Sequence, residues 1–446
     1  MNVFKARFLS VFVLVCLLAT LPGTYVQALG PVIYVNSKAT GLNTGTSWRD
    51  AYTNLQVALT AVPKGAEIWV AAGTYKPTTV FDRSASFQLK NGVELYGGFA
   101  GNETSRSQRN PHENVTILSG DTGQVKNPND NSYHVVVSGA TTTATAILDG
   151  FTVAYGNANG GSLDSDVLGG GMYNRGNPTL KSITFSNNHA TNGGGGMYNL
   201  GNPTLNNVLF YMNTTLIYGG GMYNFASSPT LSRVTFRNNS APSGGGGMYN
   251  EHSSPTLRNS TFNNNSGDSN GGGMYNDSSD PTLIDVTFSQ NTTDGLGGGM
   301  FNVSSHPTLT GGAFNSNSAF QGGGMANYSA SDSSLTDTTF SGNIANYYGG
   351  GIYCTSSSTT LRSVTFSENT AIEAGGGVFG CDSAILRNVT FSGNTTDGAG
   401  GRDAQFWQHN IHERDLHWKL GRRFGRRNVE SRQLKTRERH LQRKLG

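Results

Sequence analysis

Residues able to do chemistry are sparse in this chain of 446 residues. Charged side chains make up 13% of it, against 61 glycines. Cleaving a polysaccharide needs carboxylates gathered on one face to hold a cation or pass protons, often beside a basic group that abstracts one. Glu251, Asp277, Asp280, Asp332 and Asp382, with His252 and His306, collect near one recurrent place in the sequence. They do so without repeating one charge in step. Asp285, Asp337 and Glu368 fall elsewhere, and no two successive repeats are expected to place carboxylates at one outward position. No Cys/His cluster has metal-ligand spacing, so no metal, cofactor or catalytic set is expected. The pattern favours binding or display over catalysis, with residues 33–160 left as the place where an active site could depart from the repetition.

A second set is aromatic. Tyr173, Tyr198, Tyr223, Tyr249, Tyr275 and Phe301 recur in step with the repeat, continued by Tyr353 and Phe379 after a break at Ala326. Each sits beside an inward-pointing aliphatic residue and therefore points outward. Such a row is either a binding stripe for glycans or a protein partner, or a column stacked on itself that stiffens a sheet face. Cys354 and Cys381 are separated by about one repeat. Successive repeats bring such Cα atoms to ~5–6 Å, within disulfide reach, although the two slots differ by one residue. A bond and divergent side chains both stay open. The segment 102–114, with Arg106, Arg109, His112 and Glu113, reads either as a binding loop or as a solvated excursion.

These groups are positioned by a repeat. The stretch 169–185, GGGMYNRGNPTLKSITF, returns with little change to Gly401, its Phe recurring at Phe185, Phe210, Phe236, Phe262, Phe288, Phe314, Phe340, Phe366 and Phe391. An Asn lies three residues after each Phe and a Leu five before. A fixed period of this size signals a solenoid. Gly, Asn, Ser and Thr around short apolar pairs exclude helical repeats. Val-Thr-Phe, Gly-Met-Tyr and Pro-Thr-Leu each suit a short strand. Three strands and three bends in ~25 residues describe one rung of a parallel β-helix, whose equivalent positions stack ~4.8 Å apart. The all-β expectation is therefore Phe on Phe, Leu on Leu, and a hydrogen-bonded Asn ladder along a bend.

The paired signatures Phe-x-x-Asn and Gly-Gly-small-aliphatic resemble the repeats of bacterial polymorphic outer membrane proteins, within the pectin-lyase-like right-handed β-helix superfamily. The likeness spans residues 169–401, with weaker kinship upstream. It implies a right-handed helix, an N-terminal cap, and a secreted or cell-surface, outer-membrane location in a bacterium. The superfamily holds enzymes and adhesins alike. The leading expectation is an exported, non-enzymatic, adhesin-like rod whose partners are surface glycans or proteins. A polysaccharide lyase or hydrolase, or a carbohydrate-binding protein, is the alternative on the same fold.

In chain order, residues 1–28 read as a signal peptide: Lys5 and Arg7, an apolar run too short to span a bilayer, then Val26-Gln27-Ala28. No transmembrane helix is expected, and no membrane β-barrel follows the repeats in this sequence. Residues 29–160 form a cap and divergent rungs. Within them Trp48, Ala51, Leu55, Ala58, Leu59 and Val62 mark the face of a helix over 48–62 that would cover the open end of the core. Residues 161–401 are regular rungs, with insertions confined to the bend after Met-Tyr-Asn.

Residues 402–446 hold 13 of the chain's 31 Lys and Arg and 5 of its 28 Asp and Glu. No nucleic-acid partner is read from this basic tail. The repeat halts between Gly401 and Arg402. Back-translated with Arg as CGN and displaced by one nucleotide, residues 402–407 permit Gly-Met-Leu-Asn-Phe-Gly, and 412–419 permit Thr-Asn-Val-Thr-Phe-Thr-Gly-Asn. The recovered Met falls at position 403 and the recovered Phe at 416, each one repeat period beyond Val378 and Phe391. The tail is expected to be out of frame and disordered.

Overall fold

The computed structural model describes residues 30–396, apart from 126, 162–163 and 382–383, and the backbone of two further strands, Phe406–Trp407 and His412–Lys419. Its strands pair in parallel, each with its equivalent in the next rung, as in a β-solenoid.

One rung shows the plan. Met248–Glu251, Thr256–Arg258, Thr261–Asn263 and Ser266–Gly267 are its strands. Three of these match the expected motifs. The fourth, two residues long, carries no alternation that a sequence pattern can register. The Met strands form one 12-stranded sheet and the two-residue strands a 10-stranded sheet. The Thr-Leu and Thr-Phe strands share a 25-stranded sheet.

That large sheet folds along a row of left-handed residues between its two strands: Ser182, Asn207, Arg233, Asn259 and Asp285, with φ of 48 to 56°. A non-glycine residue meets a steric cost there, so the stacked ladders on either side must hold it. Glycine is needed elsewhere. Gly271 has φ +59°, and a Cβ on Gly272 would lie 2.3 Å from the Thr292 carbonyl of the next rung. Any larger residue in the second place would push the rungs apart.

Phe185 to Phe391 form one fully buried column. Neighbouring ring centroids are 4.5 to 5.0 Å apart, with planes within 16° of parallel. Leu stacks on Leu and Met on Met beside them. The Asn ladder also forms: Asn291 Oδ1 accepts from Asn265 N and Nδ2, and Asn291 Nδ2 donates to Asn317 Oδ1 and the Phe262 carbonyl. A second buried ladder, which the sequence reading did not anticipate, runs through the Asn of Met-Tyr-Asn. There Asn250 Nδ2 donates to Asn276 Oδ1, and Asn276 Nδ2 to Asn302 Oδ1. Buried amides left single would be costly, but in register each completes its neighbour.

The N-terminal helix is shorter than expected. α1 spans Leu55–Ala61, capped by the Asn54 side chain accepting from Gln56 N, and buries Leu55, Ala58 and Leu59 against the first rungs. Trp48 lies outside it. Its ring packs edge-on against Tyr34 at 4.8 Å, and its indole N–H donates to the Glu103 carbonyl. The Asn54 cap sets the start that the apolar spacing alone placed too early.

The signal-peptide segment and most of the tail lie outside the described residues. Within the tail, Phe406–Trp407 pairs with Val378–Phe379, and His412–Lys419 pairs with Ile385–Ser392. Both pairings overrun the repeat period. Val378 faces Phe406 rather than position 403, and Phe391 faces Trp418 rather than position 416.

Candidate binding surfaces

The outward aromatic row becomes a column on the Met sheet, because its strands pair in register: Tyr173 with Tyr198, Tyr223 with Tyr249, Tyr275 with Phe301. Tyr173 and Tyr198 stack in parallel at 5.8 Å. From Tyr198 to Phe301 each ring meets the next edge to face at 4.8 to 5.0 Å. Tyr218, from the preceding Gly-rich bend, lies over the column and stacks on Tyr249 at 4.4 Å. Tyr198, Tyr223, Tyr249 and Phe301 are consequently 3 to 9% exposed, while Tyr173, Tyr218 and Tyr275 remain half-buried. The rings form a small apolar cluster of their own outside the main core.

A correction concerns the acids beside this column. Glu251 and Asp277 occupy the same outward position in successive rungs, so two carboxylates do stack in register. The sequence reading missed this because it grouped them with the variable bend rather than with the end of the Met strand. Tyr223 donates its hydroxyl to the Glu251 carboxylate, and Tyr249 faces Asp277 Oδ2 at 3.5 Å. Burial first, and then the Glu251 carboxylate, push the Tyr223 and Tyr249 hydroxyls above the ordinary tyrosine range. They stay protonated donors. Among the described residues no group of three or more His, Cys, Asp or Glu lies together.

Further along this sheet, Cys354 takes the place of the ladder Asn, opposite Asn327. The structure bonds it to Cys381, with Cα atoms 4.7 Å apart and both residues buried. The second Asn ladder ends at this pair: Asn327 Nδ2 turns to Ser333 Oγ at 2.8 Å.

The other surface is a groove of about 610 Å³ on the folded 25-stranded sheet. Its floor is the left-handed row of four rungs, Gly150, Ser182, Asn207 and Arg233, with Thr152, Thr184 and Thr235 alongside. One wall is the 102–114 segment, which brings Arg106, Arg109 and His112 to the edge. The segment is held in place by its own chemistry. Glu103 is buried and accepts from the backbone N–H groups of Ala100, Gly101 and Asn102. Burial raises its carboxyl pKa, but these N–H groups outweigh it and hold the group below the ordinary range. Arg109 pairs with Asp149 at 2.7 Å and donates to the Gly97 carbonyl, and Arg106 pairs with Glu67 at 2.8 Å.

Asp149 and Glu67 are thus neutralised by Arg109 and Arg106, while Glu113 of the same segment is exposed. Arg233 and His112 stand exposed, and Lys181 and Arg258 point outward from the same sheet. Arg233 also donates to Asn206 Oδ1 at 2.5 Å. The sequence reading did not single out Arg233. Its approach to a loop far earlier in the chain is a product of stacking. The arrangement is cationic, hydroxyl-rich and four rungs long.

Residues 114–293 match the family model described as right-handed beta helix region, and residues 337–355 match the Chlamydia polymorphic membrane protein repeat. The fold is a right-handed parallel β-helix, and residues 337–355 within it match that repeat. No curated protein matches by sequence. Similar solved structures include pectate lyase Pel9A, at 14% identity over 86% of this chain and 79% of that one, TM-score 0.34. PfbA, a surface adhesin of Streptococcus pneumoniae, aligns at 13% identity over 77% and 85%, TM-score 0.36. The Dettilon tailspike protein aligns at 10% identity over 85% and 68%, TM-score 0.30.

Proposed function

We propose that this right-handed β-helix with polymorphic-membrane-protein-type repeats is an exported, non-enzymatic rod of the bacterial cell surface, and that it binds anionic glycan chains along its groove. The observation that carries the reading is the groove's charge. No carboxylate is among the described residues that line it, the nearby Asp149 is held by Arg109, and Arg106, His112 and Arg233 stand among threonine hydroxyls. Such a surface suits a string of carboxylates or sulfates, each met by a guanidinium or hydroxyl. Rungs ~4.8 Å apart give the repeat of an extended chain laid across them. The repeat match supports the cell-surface location. No helix of the described residues is long and apolar enough to cross a membrane.

The aromatic column offers a second contact for sugars at Tyr173, Tyr218 and Tyr275, where ring area remains exposed. Its outer rings are the place to look for neutral glycans.

The test is retention on immobilised polygalacturonate, heparin and neutral dextran. The acidic polymers should bind, salt should release them, and Arg233→Gln should weaken retention. Retention on dextran alone would move the site to the aromatic column. Release of unsaturated sugar ends on incubation with any of these polymers would overturn the non-enzymatic reading.

A further inference from the structure

Residues 127–132 lie against residues 155–159 of the next rung. Asn131 Nδ2 donates to the Tyr155 carbonyl at 2.8 Å, Asn157 Nδ2 to the Pro128 carbonyl at 2.7 Å, and Asn157 N to the Ser132 carbonyl at 2.9 Å. Arg83 clamps the same junction, donating to the carbonyls of Asn131 and Asn157. Asp130 ends a short 3-10 turn, Pro128–Asp130, and its Oδ2 accepts from Gln124 N and Asn127 Nδ2.

What remains unmatched here is oxygen. Asp130 Oδ1, Asn131 Oδ1, Asn157 Oδ1 and Ser132 Oγ are buried and have no hydrogen-bond partner among the described residues, and their residues are 7, 7, 5 and 0% exposed. Turning the amides does not cure this. Each Nδ2 faces a backbone carbonyl, which can only accept, so a flip would set acceptor against acceptor. A buried acceptor without a donor is costly, and an ionised one more so. Four such atoms on two mutually bonded segments need a shared remedy. All are hard oxygens, one of them anionic, which is the donor type calcium takes.

We propose that this junction holds a divalent cation of the calcium type, with Asp130 Oδ1 as the anionic ligand and the amide oxygens of Asn131 and Asn157 beside it. The ion ties residues 127–132 to the following rung and stiffens the first turns of the rod. Its affinity is expected in the range of extracellular sites, ~10⁻⁴–10⁻³ M.

The experiment compares thermal and urea unfolding of the full chain after EDTA treatment and in ~10 mM calcium chloride, with calorimetric titration of calcium. At that concentration calcium should raise the folding equilibrium constant about 10- to 100-fold. Asp130→Asn should abolish that gain, while its calcium-free stability holds because the amide keeps the size and an oxygen to accept from Gln124 N and Asn127 Nδ2. Asn157→Ala, which spares the carboxylate, should weaken the gain and serves if Asp130→Asn does not fold. Asp149→Asn, at the Arg109 ion pair, should leave it intact. Equal stability with and without calcium and no binding heat would overturn the proposal. So would a gain that survives in Asp130→Asn or disappears in Asp149→Asn.

Discussion

Replacing Phe288 by Ala tests whether the rod is held by a continuous aromatic column. Phe288 is fully buried, and its ring stacks on Phe262 at 4.7 Å and on Phe314 at 4.8 Å, within 10° of parallel. Its backbone carbonyl accepts from Asn317 Nδ2, a bond the substitution leaves in place. The loss is therefore side-chain burial, a cavity and two ring contacts. Truncating a buried Phe costs ~3–5 kcal/mol when the site cannot collapse. Collapse is resisted here, since backbone ladders on both sides fix the rung spacing, so the upper half of that range is expected. Phe288→Leu keeps most of the buried area and loses the ring contacts, each worth ~0.5–1.5 kcal/mol; about 1–2 kcal/mol is expected. The assay is urea unfolding followed by far-UV circular dichroism, with the slope compared between variants. An unchanged slope lets the midpoint shift be converted to free energy. A lower slope means that the rungs on either side of the cavity unfold separately, as a nearest-neighbour array does when one interface is weakened. A loss below ~1 kcal/mol for Phe288→Ala would refute the stacked column, as would equal losses for Ala and Leu.

The Asn ladder should be as sensitive. Asn291→Ala removes a residue making four buried hydrogen bonds and should cost about 3 kcal/mol or more by the same assay. Asn291→Asp sets a carboxylate against two acceptors, so it should be worse at neutral pH and recover on acidification, as the raised carboxyl pKa in the fold takes up a proton; no recovery would argue against the assigned amide orientation. Met212 is exposed at φ +53° in a slot where three other rungs carry Asn187, Asn238 and Asn264, and Met212→Asn should stabilise by about 0.5 kcal/mol, read as a rise in urea midpoint. His134 and His189 are lowered chiefly by burial, and His134 donates Nδ1–H to the Gly169 carbonyl. The unfolded chain therefore binds protons that the fold refuses, and stability should fall as pH drops below ~6.5. The double variant His134→Asn, His189→Asn should flatten that slope in melts taken from mildly alkaline to mildly acidic pH. Resequencing the codons around Gly401 tests the displaced frame, an extra base there being the expected result.

The sequence by itself determined the repeating unit. One near-constant period, with Phe, Leu and Asn in constant phase, leaves little alternative to parallel stacking, because each residue type must meet its own kind one rung away. The Phe column and the first Asn ladder follow from that identity alone. The N-terminal cap was legible as an apolar face, but its start was decided by the Asn54 cap.

Tertiary structure decided what single-chain periodicity does not contain. The two-residue fourth strand has no pattern of its own, and only its neighbours in the ladder define it. The aromatic row pointed outward as expected, yet Tyr218 from an adjoining bend covers it. The stacked Glu251 and Asp277 depended on where the Met strand ends. The groove joins Arg233 to a loop around Arg106 and His112, and the oxygen-lined junction joins Asp130 to Asn157. Both draw on residues of the divergent opening rungs, where no repeat announces which positions stack. Repetition makes register readable from one rung to the next; where it lapses, only the folded chain shows what meets what.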